Sequence, residues 1–135
     1  MRILIAEDDF ASRKFLYKFL SIYGECDMTV DGMETIEAFM LAHEEGNPYE
    51  LICLDIMMPK IDGKMVLNFI KEKENEMEIE SDKRAKIIMT TALNDLDTVN
   101  DAFDKGCEAY ASKPLDTKKL AEVLKKFGFN RIGID

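Results

Sequence analysis

The chain has 135 residues, 47% hydrophobic and 33% charged, with 27 acids against 18 bases and a net charge of −9. That length fits one domain that buries roughly two-thirds of the surface its unfolded form exposes. The acidity argues against nucleic acid or an anionic membrane as a direct partner, and no apolar run approaches the ~20 residues of a membrane span. Residues 2–7 read as a first strand followed at once by acids, so the start lacks the apolar core and cleavage site of a secretion signal; a cytoplasmic domain beginning at residue 1 is expected. Phe15, Leu16, Phe19, Leu20 and Tyr23 then recur at helical spacing until Gly24. Residues 26–30 form a short second strand, and Asp31-Gly32 opens a helix carrying Ile36, Phe39 and Met40 that ends at Gly46-Asn47-Pro48. Residues 51–55 are apolar without alternation, as in a strand buried on both faces of a parallel sheet. A third helix after Asp62-Gly63 places Met65, Val66, Phe69 and Ile70 inside. Residues 87–90 are the fourth strand, 95–105 the fourth helix and 109–112 the fifth strand. Asp116 caps a last helix with Leu120, Val123, Leu124 and Phe127 inside, closed by Gly128.

Five strand–helix units in succession imply a doubly wound α/β fold: a parallel sheet, helices on both faces and right-handed crossovers. Ligands bind such sheets beyond the carboxyl ends of the strands. Residues 71–86 stand apart, with six acids and five bases, and read as a charged surface connection, either a helix extension or a solvated loop. Cys26, Cys53 and Cys107 have no zinc-ligand spacing and suit reduced packing residues. His43 lacks a catalytic partner and reads as a surface residue.

The chemistry gathers at the strand ends. Asp8 and Asp9 follow the run Ile3-Leu4-Ile5-Ala6, Asp55 ends the third strand, Thr91 follows the fourth, and Lys113-Pro114 follows the fifth. Carboxylates ~5 Å apart repel by roughly 3 kcal/mol at an effective dielectric of 20. A hard dication removes that penalty, and oxygen ligands favour Mg²⁺. Asp8 or Asp9 could instead cap the first helix, but a cap accounts for one acid and not for a third on another strand. A carboxylate beside Mg²⁺ can attack phosphorus, with Lys113 and the Thr91 hydroxyl meeting the other phosphoryl oxygens.

The Asp8-Asp9 pair, Asp55-Ile56-Met57-Met58-Pro59 with Asp62-Gly63, Thr91-Ala92 and Lys113-Pro114 stand in the order of one family. The chain resembles the receiver domains of two-component response regulators, specifically the single-domain chemotaxis type, over residues 2–129; residues 130–135 are a short tail. The resemblance implies a flavodoxin-like fold with strand order 2-1-3-4-5. It implies Asp55 as phosphoacceptor from a sensor histidine kinase. Asp9, Asp55 and the Met57 carbonyl would bind Mg²⁺ directly, and Asp8 through a metal-bound water. Lys113 would pair with the acids and then with phosphate across a cis Lys113-Pro114 bond. Thr91 and Tyr110 match the switch pair, with Ala92 beside the phosphate. The output would be a downstream protein contact on the face of the fourth helix, fifth strand and last helix, residues ~95–127.

Two positions depart from relatives that hydrolyse their phosphate quickly. Met57 and Leu93, two residues beyond Asp55 and Thr91, are apolar and cannot orient water, so slow self-dephosphorylation is expected, with lifetime set by a phosphatase or the kinase. Glu7 precedes the acid pair where many relatives are apolar; it either tunes the metal or is an exposed strand end. Two alternatives use the same site: a receiver fragment of a larger regulator, and a relay that passes phosphate to a histidine phosphotransfer protein. A haloacid-dehalogenase-type phosphatase needs an acid two residues beyond its nucleophile, where this chain has Met57. A phosphoacceptor and not a turnover enzyme is therefore expected.

Overall fold

The structure, a computed structural model, describes residues 1–92, 100, 101, 103, 104 and 106–132. Its five strands are β1 (Arg2–Ala6), β2 (Glu25–Thr29), β3 (Leu51–Asp55), β4 (Lys86–Thr91) and β5 (Ala109–Ser112). The helices are α1 (Phe10–Leu20), α2 (Gly32–Glu44), α3 (Gly63–Glu76) and α4 (Thr117–Lys126). The helix expected over 95–105 falls mostly outside the described residues; 100, 101, 103 and 104 are helical. All strands pair in parallel in the order β2-β1-β3-β4-β5, the expected flavodoxin-like arrangement.

Each of these four helices begins where an aspartate accepts an early backbone N–H. Asp9, Asp31, Asp62 and Asp116 cap α1, α2, α3 and α4 respectively. The central strands divide their side chains between two cores. Leu4, Ala6, Ile52, Leu54, Ile87 and Met89 pack with Phe39, Val66 and Ile70 from α2 and α3. Ile3, Ile5, Leu51, Cys53 and Ile88 pack with Leu16, Leu20, Leu120 and Leu124 from α1 and α4. Met65 does not join the first core; it is 59% exposed, and Leu67 is buried in its place. The cysteines are free thiols, two of them buried. No helix among the described residues is long and apolar enough to cross a membrane.

The charged 71–86 stretch is partly helix and partly connection. α3 runs to Glu76, and a 3-10 turn at Ser81–Lys83 leads to β4. Glu74 is not on the surface: it is 1% exposed, and its Oε2 accepts the Ala85 N–H at 2.8 Å.

Candidate functional site

Register decides which acids meet. β1 and β3 align Ile5 with Cys53 and Ala6 with Leu54, so Glu7 comes beside Asp55 one step further. Glu7 lies just past β1, but its N–H still bonds the Thr29 carbonyl at 3.1 Å, which carries the strand's alternation forward. Glu7 therefore continues the row Ile3, Ile5, as Asp55 continues Leu51, Cys53. On β4, Thr90 stands opposite Asp55, and on β5 Lys113 continues the row Ala109, Ala111. These four side chains share the α1/α4 face at the carboxyl edge of the sheet.

Glu7 is fully buried and Asp55 is 2% exposed. The Lys113 ammonium stands 2.6 Å from Glu7 Oε1 and 3.5 Å from Asp55 Oδ2. Carboxylate oxygens of Glu7, Asp8 and Asp55 lie within 4.8 Å of one another, with Asp8 open to solvent. The exposed-strand-end reading of Glu7 is thereby overturned: Glu7 is the deepest acid of the site.

The converging set is thus Glu7, Asp8 and Asp55, one residue earlier than the expected Asp8, Asp9 and Asp55. Asp9 Oδ2 instead accepts the Ser12 N–H at 2.9 Å as the cap of α1. That bond holds the Asp9 carboxyl below its ordinary range. The cause is local: the start of α1 claims Asp9, whose carbonyl also accepts the Arg13 N–H at 2.9 Å. Glu7 assists, its Oε2 accepting the Asp9 N–H at 3.1 Å.

Electrostatics follow from crowding. Burial first, then hydrogen bonding to Glu7 and its charge, push the Asp55 carboxyl up to about 8. Burial lowers the Lys113 ammonium, but Glu7 and Asp55 outweigh it and leave Lys113 above its ordinary value. The donors are all hard oxygens, two buried and one open, in mutual repulsion. This chemistry fits a divalent cation, and the cluster is a candidate divalent-metal site.

The remaining expected residues stand around this centre. Met57 donates its N–H to Asp55 Oδ1 at 3.2 Å while its side chain is 60% exposed. Thr91 is buried, and its carbonyl accepts the Lys113 N–H at 2.7 Å. Ala92 follows in an exposed bend. The Lys113-Pro114 bond is cis. Tyr110 is 41% exposed, its ring edge-on to Phe103 at 5.9 Å. Leu93 lies outside the described residues. Gly63 shapes the loop behind Asp55, since a Cβ there would stand 2.2 Å from the Asp55 carbonyl oxygen.

Sequence reasoning left the role of Glu7 open and did not single out Thr90. The Thr90 hydroxyl is buried without a hydrogen-bond partner among the described residues.

A family model described as "Response regulator receiver domain" matches residues 3–125. The chain is 33% identical over 123 residues to the chemotaxis protein CheY of Treponema pallidum, covering 90% of this chain and 78% of that protein. It is 31% identical to hybrid signal transduction histidine kinase L of Dictyostelium discoideum, covering 96% of this chain but only 7% of the kinase. Among solved structures, the CheX-CheY-BeF3-Mg²⁺ complex of Borrelia burgdorferi is similar with a TM-score of 0.76 at 29% identity, covering 96% of this chain and 90% of that one. The Saccharomyces cerevisiae complex of Ypd1 with the receiver domain of Ssk1 matches in fold, with a TM-score of 0.79 at 23% identity over 95% and 88% of the two chains.

Proposed function

Since the chain belongs to the response regulator receiver domain family, we propose that Asp55 accepts a phosphoryl group from a phosphohistidine donor. In that step the P–N bond of the donor breaks and a P–O bond to an Asp55 carboxylate oxygen forms, leaving an acyl phosphate. The observation that carries the reading is the meeting of Glu7, Asp8, Asp55 and Lys113 at one strand edge. Asp8, Asp55 and the Met57 carbonyl would hold Mg²⁺, with Glu7 behind them; when bound, the dication neutralises charge on the phosphoryl oxygens. The Mg²⁺ in the Borrelia complex supports that choice of metal.

The chain's own groups do the rest. The Met57 N–H fixes one Asp55 oxygen, and Glu7 holds the Lys113 ammonium within reach of the other. Lys113 and the Thr91 hydroxyl then meet the transferred group. The donor is a histidine kinase or a histidine phosphotransfer protein. The output is protein–protein contact on the β5–α4 face, where Tyr110, Pro114, Lys119 and Val123 line a cavity of about 170 Å³. Tyr110 turns inward on phosphorylation and reshapes that face. Apolar Met57 leaves hydrolytic water unoriented, so the acyl phosphate is long-lived; Met57→Asn should shorten its half-life.

The test is intact mass after incubation with acetyl phosphate, with and without Mg²⁺, for wild type and Asp55→Asn. A Mg²⁺-dependent gain of one phosphoryl group, absent in the variant, is expected. A gain that survives Asp55→Asn would overturn the assignment of the acceptor.

A further inference from the structure

A cavity of about 370 Å³ opens between the end of α1, the outer side of α4 and the segment after it. It lies at the end of the sheet where strands begin, opposite Asp55: Gly24, just past α1, is so close to Met1 that a Cβ would stand 2.3 Å from the Met1 carbonyl oxygen. Phe19, Tyr23 and Phe129 give it aromatic walls, the first two tilted against each other at 5.6 Å. Lys125 and Arg131 also line it, and no acid does among the described residues. Neither cation makes an ion pair among the described residues, and both are exposed. The wall is also fixed in place. The Phe129 N–H bonds the Leu124 carbonyl at 2.9 Å, and the Ile132 N–H bonds the Ile22 carbonyl at 2.7 Å. Residues 129–131 are thus fastened across the gap between the helices.

We propose that this cavity binds a small planar anion, an aromatic ring carrying a carboxylate or sulfonate. The volume suits a small molecule and not a helix. Aromatic walls favour a ring by stacked and edge-on contacts. Arg131 offers a planar fork of N–H donors to an anionic group, and Lys125 adds a point charge. A neutral aromatic would leave both cations unused, and an inorganic anion would leave the rings unused. Both halves are needed.

The probe is 8-anilinonaphthalene-1-sulfonate, followed by fluorescence titration and by amide chemical-shift mapping on the ¹⁵N-labelled chain. Saturable binding of one molecule is expected, with shifts centred on residues 19–23, 121–125 and 129–131. Lys125→Glu and Arg131→Glu should each weaken it by about tenfold, and Lys125→Gln and Arg131→Gln by less. All four substitutions fall on two exposed side chains, and thermal melts check that the fold is kept. Naphthol and sulfate, each alone, should bind far more weakly. Asp55→Asn should bind the probe as wild type does, which keeps this site separate from the phosphoacceptor reading. Absence of saturable binding, indifference to both charge reversals, or shifts centred on the Tyr110 cavity would each overturn the proposal.

Discussion

The sheet buries acids at both ends, and the two groups are built differently. Where strands begin, Glu74 Oε2 accepts the Ala85 N–H at 2.8 Å and Glu108 Oε2 accepts the Ile87 N–H at 2.6 Å. The Lys71 ammonium stands between them, 2.9 Å from Glu108 and 3.9 Å from Glu74. Each carboxylate there completes the backbone bonding at the start of β4. Burial still raises the Glu74 carboxyl, but the Ala85 N–H and Lys71 oppose it. Where strands end, Glu7, Asp8 and Asp55 share one lysine, and Asp55 meets Glu7 directly. In the first group each acid accepts a backbone N–H and has Lys71 nearby, although Glu74 Oε1 is left without a hydrogen bond among the described residues. The second sets three carboxylates against one ammonium and relieves the excess either by keeping a proton on Asp55 or by taking up a cation, and that crowding separates a binding site from a structural network.

Opposite signs of response are therefore expected at the two ends. Glu74→Ala leaves the buried Ala85 N–H without its acceptor, while Lys71 keeps Glu108, and should cost roughly 1–3 kcal/mol in denaturant unfolding. Asp55→Asn relieves the contact with Glu7 and should stabilise the metal-free protein by roughly 1–2 kcal/mol at neutral pH or above. If both variants destabilise alike, the two groups are equivalent. Mg²⁺ at a hundred times its dissociation constant should stabilise wild type by about 2.7 kcal/mol. Asp8→Asn should abolish that gain. Asp9→Ala should lower the melting temperature by loss of the cap yet keep the Mg²⁺ response; the reverse pattern would restore Asp9 as the ligand.

Acidity provides a further contrast. The Asp55 carboxyl is raised in the folded protein from 3.8 to about 8, so the native state holds the extra proton between those values. Metal-free stability contributed by that proton is complete below about pH 4 and is lost as pH rises through about 8. Melts from pH 5 to 9 should show the decline, and saturating Mg²⁺ should remove it by displacing the proton. The smallest effect concerns Tyr110. Phe103→Ala removes an edge-on ring contact worth about 1 kcal/mol at most. It should raise the inward population of Tyr110 without phosphate, read from ring contacts by NMR.

Strand and helix positions were legible because apolar runs and Asp-led helix starts are local signals; the strand order came with the family resemblance. The acid set was read one residue late. Both faces of β1 are buried, so Ile3-Leu4-Ile5-Ala6 shows no alternation to say which way Glu7 turns. Only the pairing with β3 supplies that phase, and pairing is a long-range fact. Glu74 was hidden for a related reason: within a run of charges, nothing marks the one acid that folds inward to meet the start of β4.

The Glu7–Lys113 contact also orders events in time. It joins residues 106 positions apart, and a ribosome delivers them in sequence, amino end first. Glu7, Asp8 and Asp55 are all made before the lysine that balances them. A nascent or prematurely terminated chain that stops short of β5 carries the acids without their counter-charge. Lys113 is therefore the last member of the cluster to be made, and the charge balance of the site is completed only when β5 has been synthesised.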